Sequence, residues 1–165
     1  MNIKRIVKHL LVTDRHVKRA FPASALQQIE SVIKASEASH AGEIRFVVEG
    51  ALDGSPLFNG QLARERAIEL FSQLRVWDTQ DNTGVLIYLL LADRAVEIVA
   101  DRGIHAKVDA LAWSTVCRQM EAAFRQSNFE AGVVAGVQAV TQHLAKHFPA
   151  GGHDRNELPD KPVVL

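Results

Sequence analysis

The stretch DNTGVLIYLLLADRAVEIVAD, residues 81–101, decides the fold. Asp81, Asn82 and Gly84 are turn formers. Residues 85–91 are continuously apolar and strand-sized, which suits a strand covered on both faces. Asp93-Arg94 reads as a short turn. Residues 95–101 read as the next strand, with Val96, Ile98 and Ala100 alternating with Glu97, Val99 and Asp101. Strands this close in sequence form an antiparallel hairpin. A two-residue turn sets Asp101 opposite Leu86, beside the loop 78–84.

Working upstream, Ala63, Ala67, Leu70, Phe71 and Leu74 recur at helical spacing and predict a helix over 60–75. The loop Asp53-Gly54-Ser55-Pro56 precedes it. Residues 43–49 read as a strand, with Ile44, Phe46 and Val48 on one face and Arg45 and Glu49 on the other. Two strands flanking a helical crossover are parallel, with a right-handed connection. Ser24 to Gln27 has capping-box spacing, and Leu26, Ile29, Val32 and Ile33 carry a helix to about Ser39. Phe21-Pro22 separates it from a single basic amphipathic helix over 2–20, which sets Ile3, Ile6, Val7, Leu10 and Val17 toward one side.

Downstream, Trp113, Val116, Met120 and Phe124 mark one helix, and Phe129, Val133, Val137, Val140 and Leu144 another. Gly132 and Gly136 stand one turn apart and permit close approach to a neighbour. The predicted class is α/β: a small mixed β-sheet with helices on both faces, in the order α-α-β-α-β-β-α-α. The predicted organisation is an N-terminal helix over 1–20, a domain over 21–149 and an extended C-terminal tail over 150–165.

The 165 residues suit one domain. With 19 basic and 19 acidic residues there is no chain-wide field to attract nucleic acid. The basic residues are unevenly placed: Lys4, Arg5, Lys8, Arg15, Lys18 and Arg19 crowd the N-terminus against Asp14 alone. That helix either packs on the domain or meets an anionic membrane surface or an acidic partner. The lone Cys117, on an apolar stripe, reads as a buried structural thiol. No signal-peptide core or membrane span is visible, so a cytoplasmic location is expected.

The hairpin and the crossover bring Asp78, Asp81, Asn82, Asp101 and Arg102 to one end of the sheet, with Glu43 starting its parallel neighbour there. Carboxylates with an amide oxygen suit Ca²⁺ or Mg²⁺. Such an ion, with Arg102 nearby, would hold a phosphate and offset charge during hydrolysis. Alternatively Asp78 and Asp81 shape a turn, and Asp101 and Arg102 are a solvated strand end. The other sheet end carries Glu49, Asp53 and Asp93, where open α/β sheets usually bind ligands. His143 and His147 could share a helix face for Zn²⁺, or be a surface pair near a helix C-terminus. Trp77 and Trp113 read as core or rim aromatics. No P-loop, dinucleotide fingerprint or serine elbow appears, so no nucleotide cofactor is expected.

From about Leu26 to Phe148 the chain resembles the TPM domain family, named after a thylakoid lumen protein, a photosystem repair protein and a receptor modulator. The likeness rests on GEIRFVV at 42–48, DNTGVLIY at 81–88, RAVEI at 94–98 with Gly103, and FRQSNFEAG at 124–132. It implies a sheet with flanking helices. It also implies divalent-metal binding with weak acid phosphatase activity in some members, and an accessory role beside a membrane complex in others. The reading of function is thus a divalent-cation-binding accessory protein, with a weak metal-assisted phosphatase and a metal-free interaction module, docking by its N-terminal helix, as alternatives.

Overall fold

The computed structural model describes residues 2–151 and 156–165; residue 1 and residues 152–155, parts of the expected N-terminal helix and tail, lie outside it. The hairpin strands are β2 (Gly84–Leu90) and β3 (Ala95–Ala100), and β1 (Glu43–Glu49) runs parallel to β2. Every residue of β1 and β2 is buried, as an apolar run with helices on both faces requires. The helices are α1 (Ile3–Leu11), α2 (Asp14–Ala20), α3 (Ala23–Ser36), α4 (Gly54–Phe58), α5 (Ala63–Gln73), α6 (Arg102–His105), α7 (Ala110–Arg125) and α8 (Phe129–His147). A short strand, β4 (Val163–Val164), pairs parallel with β1, giving the mixed order β3-β2-β1-β4.

The sheet divides the core. Ile44, Phe46, Val85, Ile87, Leu89 and Ile98 pack on one side with side chains of α3, α7 and α8. Val47, Leu86, Tyr88, Leu90 and Val99 pack on the other with Leu57 of α4 and Ala67 and Leu70 of α5. The glycines on α8 serve close approach: a Cβ at Gly132 would lie 2.7 Å from the Phe124 ring, and one at Gly136 would strike Met120. Helices α7 and α8 interlock there as the spacing anticipates.

Three local expectations are corrected. The helix expected over 2–20 is two helices. Val12 leaves the helical region, and Thr13 starts α2 with a capping box to His16. A β-branched pair, the second with a hydroxyl that competes for backbone N–H, favours such a break. The hairpin register is shifted by two. Leu86 faces Val99, not Asp101, because the turn is four residues long. Leu91 and Ala92 donate their N–H groups to Glu49 O and Gly50 O, extending the parallel pairing, and Arg94 takes φ +52° to close the loop. Lastly, the expected tail returns to the sheet as β4. Arg45 on β1 donates to Pro159 O and, at 3.2 Å, to Lys161 O, while Leu165 N bonds Val48 O at 2.9 Å.

Candidate functional site

At the amino-terminal end of β1 and β2, Asp101 N donates to Gly84 O at 2.9 Å, so Asp101 does flank the 78–84 loop despite the shifted register. Asn82 sits at φ +54°, a conformation Asn tolerates, and accepts at Oδ1 from Arg102 Nε at 3.0 Å. Gly103 N bonds Asn82 O at 3.2 Å, and a Cβ there would lie 2.6 Å from that oxygen and 2.9 Å from Asp81 O. A bare backbone at 103 is what lets α6 close on the loop. Asp101 Oδ1 caps α6 through Arg102 N at 2.7 Å. Its Oδ2 is buried with no hydrogen-bond partner.

Asp81, Asn82, Asp101 and Arg102 are thus brought together. Asp78 is exposed, and its backbone N–H closes a turn on Arg75 O at 2.9 Å. Glu43 lies at this sheet end, but its carboxylate accepts from Glu157 N at 3.0 Å and Leu158 N at 3.2 Å, so it serves the tail. Burial raises its pKa above the ordinary carboxylate value, against those two N–H bonds. Among the described residues no group of three or more His, Cys, Asp or Glu side chains is placed to hold a metal ion. Two carboxylates with retained water are nearer to what Mg²⁺ accepts than to the six or more oxygens of a Ca²⁺ cage.

The opposite end is occupied by internal pairs. Glu49 accepts from both Arg66 Nε and Nη2 at 3.0 Å and from the Tyr88 hydroxyl at 2.6 Å. Burial first, then that hydrogen bond, raises the Tyr88 pKa. Asp53 caps α4. Asp93 holds Arg5 Nε at 2.9 Å and lies 3.1 Å from Nε2 of fully buried His9, whose Nδ1 accepts from Leu52 N at 2.9 Å. This clamp fastens one face of α1 to the domain. Nothing in the sequence around residue 9 distinguishes that histidine; its partners lie 43 and more residues away.

The clamp leaves the neighbouring face of α1 uncovered. Ile3, Val7, Leu10 and Leu11 are 67%, 48%, 62% and 67% exposed, and Lys4 and Lys8 border them. Of the apolar residues expected to share a packed side, Val17 is buried and Ile6 half-buried.

His143 packs edge-on against Trp113 at 5.4 Å, and burial, then the charges of His147 and Lys146, lower its pKa. Burial pushes the Cys117 thiol up to about 12, removing it as a nucleophile. Trp113 is buried and Trp77 is on the rim.

The TPM domain model matches residues 17–143. The chain belongs to the TPM domain family. The BA42 protein of the psychrophilic bacterium Bizionia argentinensis, solved by NMR, is 30% identical with a TM-score of 0.77, covering 88% of this chain and 95% of that one. The N-terminal domain of a protein from P. gingivalis shares the fold at 23% identity, with a TM-score of 0.62 over 79% of this chain and 83% of that one. No curated protein matches. Among the described residues no helix is long and apolar enough to cross a membrane.

Proposed function

We propose that this TPM domain is a non-enzymatic accessory module that docks peripherally on an anionic membrane surface through α1. The observation carrying this reading is the exposed stripe of Ile3, Val7, Leu10 and Leu11 on a helix whose adjacent face is clamped by Asp93. Charge complementarity selects the occupant. Lys4 and Lys8 border the stripe, and Arg15, Lys18 and Arg19 follow on α2 against Asp14 alone. Lysine stems at such a border lie along apolar surface and keep their ammonium groups at the headgroups. Each basic residue at an anionic surface contributes about 1 kcal/mol, and each apolar side chain on the order of 1 kcal/mol. Binding is therefore reversible and weakened by salt.

Cosedimentation with vesicles tests it. The wild type pellets with phosphatidylglycerol-rich vesicles and stays in solution with phosphatidylcholine alone. A Leu10→Ser, Leu11→Ser variant, whose sites are exposed, binds at least about tenfold more weakly. Failure of the wild type to pellet, or equal pelleting of the variant, overturns the reading; a stripe that binds a protein partner gives that result.

The second reading is a weak divalent-cation site, supported by the unpartnered, buried Asp101 Oδ2 at the sheet end where Arg102 and Gly103 bond Asn82. It is contradicted if Mg²⁺ and Ca²⁺ leave both the melting midpoint and the amide signals of 81–84 and 101–103 unmoved. The phosphatase reading needs that ion and Arg102. Equal phosphomonoester hydrolysis by the wild type and an Asp81→Ala, Asp101→Ala variant removes it.

A further inference from the structure

We infer a second site: a cavity that binds a small amphipathic anion, with one carboxylate or phosphate head and a short apolar body. The cavity has a volume of about 820 Å³ and lies between α1–α2, the β2–β3 turn and the start of α8. Four basic residues line it, Lys8, His16, Arg19 and Arg94, against the single acid Glu130. Its apolar part is supplied by Val12, Ala25 and Phe129.

Three features make this more than a basic patch. Three cations, Lys8, Arg19 and Arg94, come from three separate elements and converge on one concavity. Among the described residues Lys8, Arg19 and Arg94 have no ion-pair partner, whereas Arg5, Arg64 and Arg66 are all paired. Unpaired cations grouped around a concave surface raise the local concentration of anions.

The second feature is position. Leu91 and Ala92 line the cavity and continue β2 beyond the carboxyl ends of the parallel pair. Open α/β sheets bind ligands outside those ends. The acidic groups nearest to that end, Glu49 and Asp93, are already paired with Arg66 and Arg5, so they do not oppose an anion. The third is composition. A purely ionic ligand has no use for the valine, alanine and phenylalanine walls, and a purely apolar one leaves three cations unmatched. The first turn of α8 adds open N–H groups at 129–131, since no side chain caps them.

The site shares Lys8 and Arg19 with the docking surface but does not include Leu10 or Leu11, so variants at those two leucines tell the two apart. The test is an amide NMR titration of the full chain with hexyl phosphate and hexanoate, below their aggregation limits. Inorganic phosphate tests the head alone, and hexyltrimethylammonium is the cationic control. Saturable shifts confined to 91–94 and 127–131 are expected with the two alkyl anions. Inorganic phosphate should bind about tenfold more weakly, and the cation not at all. An Arg19→Glu, Arg94→Glu variant should keep its melting midpoint, since both side chains are exposed, and lose binding about tenfold or more. The Leu10→Ser, Leu11→Ser variant should bind the alkyl anions as the wild type does, which separates this site from docking. If that variant still pellets with phosphatidic acid vesicles, the ligand is a lipid headgroup; if not, it is a soluble anion. Shifts spread over all basic surfaces, or equal affinity in the Arg19→Glu, Arg94→Glu variant, overturn the site.

Discussion

At the residue scale, Glu49 shows how a charge is kept inside this small sheet. Its two oxygens take the fork of Arg66 and the Tyr88 hydroxyl, so its remaining solvation is supplied by protein. Removing one member of a buried pair strands the other. Glu49→Ala is predicted to cost about 3–5 kcal/mol in urea unfolding. Tyr88→Phe, which deletes one donor and leaves the ion pair, should cost about 1–2 kcal/mol. Equal losses would contradict the view that Arg66 is the principal partner. Glu49 was legible as a strand-end carboxylate. Arg66 was not, because its pairing depends on how α5 is rotated over the sheet, which periodicity leaves free. The same holds for His9 and Asp93. Asp101 and Asn82 share a sheet end, since hydrogen bonding at the strand end tolerates a shift of register that side-chain pairing does not.

At the element scale, the apolar strands and long helices were readable from period alone, and the short elements were not. The two residues of β4 carry too little pattern to announce a strand; the buried Arg45 and Glu43 that hold its approach are the actual signal. That approach is pH-sensitive. Glu37 is pushed up to about 7 by burial and by its hydrogen bond to Asp160, while Asn156 donates to it at 2.8 Å. Its ordinary value is 4.5, so the folded state keeps this proton where the unfolded chain has lost it. The stability this gives is complete below about pH 4.5 and is lost as pH rises through about 7. Hydrogen exchange at Leu165 N and Gly50 N, which tie the tail to β1, is predicted to gain protection at about pH 6 relative to about pH 8, after correction for intrinsic rates. Glu37→Gln should flatten that difference. An unchanged difference in the variant would assign the effect elsewhere.

At the scale of the whole molecule, a net charge of zero conceals a strong separation. The N-terminal helices are basic, and much of the acidic charge elsewhere is paired, capped or committed to the tail. Helix α1 divides into two faces: Arg5 and His9 pack, while Ile3, Val7, Leu10 and Leu11 face outward. Sequence periodicity does not separate those two faces, because Ile6 and Val7 are adjacent and the orientation of α1 is set by Arg5 and His9 meeting Asp93, far along the chain. The proposed docking puts that outward face into an anionic bilayer. An environment-sensitive fluorophore on Leu10→Cys, in a Cys117→Ser background, measures this directly, with the same label on exposed Gln119→Cys as reference. Docking predicts a blue shift at position 10 with phosphatidylglycerol vesicles, reversed by salt and absent at position 119. An unshifted label at position 10, or equal shifts at both positions, would contradict it.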